Sequence, residues 1–281
     1  MPAPADRPDR TADPLERRVL LDDLLVGAGL WQRIDVVGQT GSTNADLADA
    51  ARAGAPAGTV LVADHQTAGR GRLGRTWTAP PGSGFALSVL LRPEAPLERW
   101  TWLPLLAGLA VSDALRQQTG LPAEVKWPND VLVLGRKLCG VLAERVETDA
   151  GPAVVLGMGV NVHLRSDELP VPTATSVDLA RAELGVPGVP VARTPIVSSV
   201  LRCLERDLRR WEDVVALDDP DAVALAYRER CSTLGRAVRI SLSDGTAVEG
   251  VARDVDASGR LVLETADGSR TFGAGDVVHL R

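Results

Sequence analysis

The sequence predicts an α+β fold that ends in a small SH3-like β-barrel, and three features predict it. Segments with apolar alternation at period two flank a Gly- and Arg-dense stretch, Gln66 to Gly84. Apolar stripes at helical spacing, Leu105 to Leu115 and Ile196 to Trp211, supply helices. From Leu234 onward only short strand patterns remain: VRISL, GTAVEGVARDV, GRLVLET and SRTF, punctuated by Asp244-Gly245, Ser258-Gly259 and Asp267-Gly268. The chain thus divides into a polar, Pro-rich tail over 1–13, expected to be disordered, a main domain over 14–232 and a small one over 233–281.

Taken in order, Asp13-Pro14 offers an N-cap and a first-turn proline for a helix ending near Gly27. RIDVVGQ, Arg33 to Gln39, is the first strand. Gly41-Ser42-Thr43-Asn44 then turns into a helix that stops at Gly54, and Thr43-x-x-Asp46 has the form of a capping box. Thr59 to His65 is the second strand, and Phe85 to Leu91 the third, with Phe85, Leu87, Val89 and Leu91 on one face. The stripe of Leu105, Leu106, Leu109, Ala110 and Leu115 closes at Gly120. AEVKW is extended, because Pro128 keeps Trp127 out of a helix. Strands follow around Val131 to Leu134, Lys137 to Val146 and Ala153 to His163. Thr194-Pro195 opens a long helix carrying Ile196, Val197, Val200, Leu201, Leu204, Leu208 and Trp211, and a further helix ends near Arg230.

The chain has 281 residues, 45% of them hydrophobic and 24% charged, enough for a sizeable core. A net charge of −6 argues against a protein that coats nucleic acid. Cys139, Cys203 and Cys231 are scattered, and His65, His163 and His279 lie far from them and from one another, so no zinc spacing is present. Reduced structural thiols and a cytoplasmic location fit this pattern. No apolar run approaches the roughly 18 to 20 residues of a membrane span, and no export signal appears.

Against the acidic background, the stretch 66–84 stands out. Gly69, Gly71 and Gly74 satisfy G-x-G-x-x-G, but that fingerprint requires a helix at the glycines. Arg75-Thr76-Trp77-Thr78-Ala79-Pro80-Pro81 cannot open one. Arg70, Arg72 and Arg75, spaced by glycines, instead offer guanidinium forks and backbone N–H groups to a small anion. Trp77 is either an anchor for the loop or a surface on which a base stacks. Ser42, Thr43 and Asn44 form a compact donor and acceptor cluster at a helix start, suited to a buried polar ring, and Gln66 opens the loop.

Lys126-Trp127-Pro128-Asn129-Asp130 is the second dense motif: a lysine at the end of an extended segment, before a Pro-fixed turn. Lys137 and Glu144 flank Cys139-Gly140 in an alternation that ordinary surface charge also explains. Gly157 and Gly159 sit in an apolar strand pattern and permit close approach by a ligand or backbone. Asn161 carries an amide edge that matches adenine. No Ser-His-Asp or Cys-His nucleophile system is evident. A site rich in Arg and Lys without a protein nucleophile suits attack by a substrate carboxylate on the α-phosphate of a nucleotide.

GSTN (41–44), HQTAGRGRLGRTW (65–77), KWPNDVLVLGRKLCGVLAE (126–144) and GMGVN (157–161) together resemble the biotin protein ligases in order and spacing, over residues 30 to 281. The resemblance implies a class II synthetase-like catalytic domain, a mixed sheet with helices. It implies that biotin and MgATP give biotinyl-5′-AMP, and that biotin then passes to one lysine of a biotin carboxyl carrier domain of an acyl-CoA or pyruvate carboxylase. Magnesium arrives with ATP, and no metal is held by the protein itself. By matching position, Ser42, Thr43, Asn44 and Gln66 hold the biotin rings, with Gly140, Gly157 and Gly159 in the biotin pocket. Arg70, Gly71 and Arg72 form a flap over the carboxylate and phosphate, and Lys126 bridges the two; Lys126 and Arg72 are the expected catalytic pair. Arg70, Arg75, Trp77, Asn129, Lys137 and Asn161 are expected to contact ATP or the adenylate. Only residues 1–32, with one helix, precede the first strand, so a monofunctional enzyme without a DNA-binding domain is expected, with neither DNA nor membrane as partner. A homodimer is compatible with the pattern. Lipoate-protein ligase, which shares the fold, is the rival reading; GRGRLGR and KWPND favour biotin.

Overall fold

The structure is a computed structural model and describes residues 13–25, 27, 29–186, 191–216, 221–242 and 244–280. A seven-stranded sheet forms the centre, in the order β1-β2-β3-β7-β6-β5-β4. Its strands are β1 (Arg33–Thr40), β2 (Thr59–Gln66), β3 (Gly84–Leu91), β4 (Glu124–Lys126), β5 (Asp130–Val133), β6 (Arg136–Thr148) and β7 (Gly151–Asn161). Strands β1 and β2 are parallel, as a crossover through α2 (Thr43–Arg52) requires, and the other pairings are antiparallel. The mixed sheet is therefore as expected.

Helix α2 covers one face, where Leu47 and Ala51 pack on Leu61, Leu90 and Val155. On the opposite face α3 (Leu103–Thr119) and α5 (Arg193–Ala216) cover Val60, Val62, Phe85, Leu87 and Val89. This double cover explains why every residue of β3 is buried, beyond the single apolar face its alternation predicts. The α5 stripe from Ile196 to Trp211 is buried as its spacing requires, each large side chain contributing about 1.5–3 kcal/mol. On its solvated side Arg209 donates to Glu205 over 2.7 Å. Helix α3 ends at Gly120, whose φ of 70° is the left-handed cap that glycine accepts at little cost.

Two helix starts depart from expectation, both because the capping side chain is engaged elsewhere. Helix α1 (Arg17–Leu24) begins beyond Asp13-Pro14, and its N-cap Glu16 makes no side-chain cap bond. Asp13 was expected in the disordered tail; the rest of that tail, residues 1–12, lies outside the described residues. Asp13 instead accepts from the backbone N–H and Nε of Arg193, a guanidinium only 2% exposed. Asp64 and the Gly84 carbonyl also receive Arg193, so this buried cation faces two carboxylates. In α2 the N-cap is Ser42, and Thr43 and Asp46 form no capping box. Asp46 accepts from Thr40 Oγ1, and Thr43 Oγ1 donates to Gln66 over 3.0 Å.

Helix α4 (Val177–Glu183), capped by Ser176, was not anticipated. Helix α6 (Asp221–Arg230) leads into a second sheet, all antiparallel, of order β11-β10-β9-β8-β12. Its strands are β8 (Ala237–Ser241), β9 (Ala247–Val255), β10 (Leu261–Thr265), β11 (Gly268–Phe272) and β12 (Asp276–His279). The fifth, β12, has four residues and carries too short an alternation to be read from sequence. The small sheet docks on the main domain through indole donors: Trp102 Nε1 to Ala257 O at 2.8 Å and Trp127 Nε1 to Gly259 O at 3.1 Å.

Candidate active site

A cavity of about 120 Å³ opens where the start of α2, the 66–77 loop and the β7–β6 floor meet. Its floor lies on two rows of directly opposed residues crossing β3, β7 and β6: Ala86, Gly159 and Gly140 in one, and Gly157 and Leu142 in the next, whose β3 member, Ser88, does not itself line the cavity. The floor glycines make room for the site's own side chains. A Cβ on Gly157 would stand 2.1 Å from Asn44 Oδ1, and one on Gly159 would stand 2.4 Å from the Trp77 ring. Gly140 is similarly crowded, by Lys137 and Trp77 at 3.1 Å.

The α2 end of the cavity is polar and buried, with Ser42, Thr43 and Asn44 each no more than 5% exposed. Gln66 Oε1 accepts from the Thr43 backbone N–H at 2.8 Å as well as from its hydroxyl. Gln66 Nε2 has no partner among the described residues, which leaves a donor for a ligand. The Asn44 amide donates to Glu144 Oε2 at 2.7 Å and to the Leu142 carbonyl at 3.3 Å, while its oxygen faces Ser88 Oγ at 2.7 Å. That pattern assigns the amide: the nitrogen meets only acceptors.

Over this floor the loop folds into a flap. Arg70 bridges to Thr76, and Arg72–Gly74 makes a single 3-10 turn whose tip residue, Leu73, is 63% exposed with φ 55°. Each flap arginine has a protein acceptor. Arg70 pairs with Glu144 at 3.1 Å, Arg72 donates to Asn129 Oδ1 at 3.1 Å, and Arg75 pairs with Asp276 at 2.5 Å. Burial draws the Arg72 pKa down from its usual value, and the charges of Asp130 and Asp276 oppose that. The hydrogen bond from Arg75 holds the Asp276 carboxyl below the ordinary range, with further help from the charges of Arg75, Lys126 and Arg72. Lys137 Nζ lies 2.6 Å from Asp130 Oδ1 and 5.8 Å from the Trp77 ring centroid, in reach of both flap and floor. Trp77 therefore does anchor the flap, lying across Gly159 and Gly140.

Fourteen of the expected residues line the cavity: Ser42, Thr43, Asn44, Gln66, Arg70, Gly71, Arg72, Arg75, Trp77, Asn129, Lys137, Gly140, Gly157 and Gly159. Lys126 and Asn161 do not. Lys126 ends β4, and its charge helps to depress the pKa of both Asp276 and His279 in the small domain. The turn at Pro128 reverses the chain, and it is β6 that carries a lysine, Lys137, under the flap. Asn161 donates to Thr175 O at 3.1 Å from behind the wall, and its Oδ1 is buried without a partner among the described residues.

Sequence reasoning missed Asp276, which a strand too short to read brings to the rim. It also missed Ser88, whose one signal is a hydroxyl inside the apolar run FALSVLL. The three cysteines are buried, and burial pushes the Cys139 thiol far above its normal range, so none is a nucleophile poised at the cavity. Among the described residues no cluster of His, Cys, Asp or Glu could hold a metal ion, and no helix is long and apolar enough to cross a membrane.

Known proteins share the sequence and fold of this chain. The profile of the Biotin/lipoate A/B protein ligase family matches residues 37–161, and that of the Biotin protein ligase C terminal domain matches 233–280. The biotin--[acetyl-CoA-carboxylase] ligase of Mycobacterium tuberculosis is 45% identical over 97% of this chain and 98% of its own. The bifunctional ligase/repressor BirA of Bacillus subtilis is 33% identical over 86% of this chain and 72% of its own. Among solved structures, the Aquifex aeolicus biotin protein ligase in complex with biotin and ATP superposes with a TM-score of 0.71 at 28% identity, covering 89% of this chain and all of that one. With motifs, fold, cavity and near full-length identity in agreement, the chain belongs to the biotin protein ligase family.

Proposed function

We propose that this protein activates biotin with ATP and transfers it to a lysine of a biotin carboxyl carrier domain. The observation that carries this reading is the pairing, in one cavity, of a buried polar cluster at α2 with a cationic lid made of Arg70 and Arg72 and a wall lysine, Lys137. The Aquifex relative binds biotin and ATP in the same fold, and the M. tuberculosis relative is named for acetyl-CoA carboxylase, so that carrier is the acceptor we assign. A pyruvate carboxylase carrier offers the same chemistry.

In the first half-reaction a biotin carboxylate oxygen attacks the α-phosphorus and pyrophosphate leaves. Ser42, Thr43, Asn44 and Gln66 hold the fused rings, so the acid end of biotin extends beneath Arg70, Gly71 and Arg72. The bridging cation is Lys137 rather than Lys126, because Lys137 lies on the cavity wall. It neutralises charge that the carboxylate and the pentacovalent phosphorus would otherwise place side by side, the condition under which a fixed donor contributes most. Arg75 and Asn129 contact the nucleotide, and Trp77 closes the floor. Magnesium enters with the phosphates, and Asp130 and Asp276 are the carboxylates on the cavity wall among the described residues. In the second half-reaction the carrier ε-amine attacks the carbonyl carbon of the mixed anhydride, AMP leaves, and the amine gives up a proton as the amide forms.

The enzyme would work in the cytoplasm, where ATP and carboxylases meet. Incubation with ATP, magnesium, biotin and a carrier domain, read by intact mass, tests the whole sequence. One biotin added to the carrier supports it, whereas lipoate added and biotin refused would replace it with the rival ligase.

A further inference from the structure

One polar chain in the molecule is not used by the chemistry above, although it touches both halves of the cavity. Ser88 sits in the middle of β3, fully buried on the α2 face, in the row that holds Gly157 and Leu142. Its neighbours along that face are Ala86 and Leu90. A hydroxyl in such a place is destabilising unless it is bonded. Ser88 Oγ lies 2.7 Å from Thr43 Oγ1 and 2.7 Å from Asn44 Oδ1. Thr43 gives its own proton to Gln66, so both atoms facing Ser88 are acceptors for its single proton. At the far side of Asn44, Glu144 Oε2 receives the amide nitrogen at 2.7 Å and the Arg70 guanidinium at 3.1 Å. The chain thus runs Gln66, Thr43, Ser88, Asn44, Glu144, Arg70, starting where the loop opens at Gln66 and rejoining it at Arg70.

Taking the ligase reading as its basis, we infer that Ser88 and Glu144 are positioning residues that fix the Asn44 amide in one orientation and tie the ring pocket to the flap through Arg70. Two features distinguish this from ordinary packing. An ionised carboxylate is acceptor-only, so Glu144 forces the Asn44 nitrogen away from the cavity and its oxygen toward Ser88. Glu144 also joins a residue that is 4% exposed to a flap arginine that is half exposed, so ring capture and lid closure share one acceptor. Neither Ser88 nor Glu144 lines the cavity, so each acts through Asn44 or Arg70.

The test is steady-state biotin-dependent ATP–pyrophosphate exchange in the full chain, comparing wild type with Glu144→Ala, Glu144→Gln and Ser88→Ala, alongside a melting curve for each. Loss of a charge-assisted acceptor that orients a buried amide should raise the KM for biotin roughly ten-fold or more. The KM for ATP should stay within about two-fold, and Glu144→Gln, which keeps a carbonyl acceptor, should recover most of the loss. Ser88→Ala should move the same constant in the same direction. Glu144→Ala combined with Arg70→Ala should be less harmful than the product of the single effects, because both break one link. An unchanged KM for biotin in Glu144→Ala, or a parallel rise in both KM values that Glu144→Gln does not repair, would overturn the relay while leaving the activity in place. A wild-type chain with no biotin-dependent exchange would overturn the activity and the relay together.

Discussion

Arg75 of the flap and Asp276 of strand β12 are separated by 201 positions in sequence, yet their side chains meet at 2.5 Å. Through this pair the small domain reaches the rim of the cavity, and Asp276 stands among Arg75, Arg72 and Lys126 as an anion among cations. Both partners are more than a third exposed, so water screens the attraction. Asp276→Asn should therefore lower stability by only about 0.2–1 kcal/mol in urea titration. Its larger effect should be local: protease cleavage after Arg72 or Arg75 should quicken. A loss of several kcal/mol, or an unchanged cleavage rate, would contradict that division.

The two lysines give a sharper comparison. Lys137→Ala removes the cation on the cavity wall and should slow exchange about 100- to 1000-fold, the effect of one lost donor at a site of developing charge. Lys126→Ala, outside the wall, should cost far less. Melting temperatures for both variants separate loss of fold from loss of chemistry. The opposite ranking would return the bridging role to Lys126.

Arg72 is held down by Asn129, and Arg72→Gly removes that tether along with the buried charge. The activated acid should then escape the cavity before the carrier arrives. Mass spectrometry of a mixture with a bystander protein should show biotin on its exposed lysines. Labelling confined to the carrier lysine would mean that another contact retains the intermediate.

His163 sets a pH dependence that is independent of catalysis. Burial opposes its charge, but hydrogen bonds to Asp13 and Asp178 prevail and raise its pKa to about 9 from the ordinary 6.5. A raised folded pKa means that the native state binds the proton more tightly than the unfolded chain does. The contribution is full below pH 6.5 and disappears as pH climbs through 9, an effect on the order of a few kcal/mol. His279 acts in the other window. Burial, with the charges of Lys126 and Arg236, lowers its pKa to about 4, so stability is lost as pH falls from 6.5 toward 4. Urea titrations across this range should find the decline above pH 6.5 in the wild type and a much smaller one in His163→Gln. Equal declines would remove His163 from the account.

Much of this was legible in the residues themselves. The α5 stripe, the flanking strands β2 and β3 and the Gly-Arg loop are local patterns, and local patterns survive folding. Fourteen of the expected residues meet at one cavity because their motifs bring several polar groups together in sequence. What could not be read depends on contacts distant in sequence. Lys126 and Lys137 stand eleven positions apart on two strands, and only the turn at Pro128 decides which one enters the cavity. Thr43 and Asp46 have the letters of a capping box, but Gln66 and Thr40 hold their side chains. Glu144 reads as a surface charge and Ser88 carries no signal beyond its hydroxyl, and both acquire meaning only when β3, β6 and α2 bring Asn44 between them.

The central claim is that a cationic lid and a wall lysine join an acid to a nucleotide with no attacking group from the protein. A crystal structure with biotin and a non-hydrolysable ATP analogue tests it most directly. The account predicts the biotin rings against Ser42, Thr43, Asn44 and Gln66, with Arg72 and Lys137 both within hydrogen-bond distance of the carboxylate or the α-phosphate. A flap turned out to solvent above an empty pocket, with both compounds bound elsewhere, would contradict it.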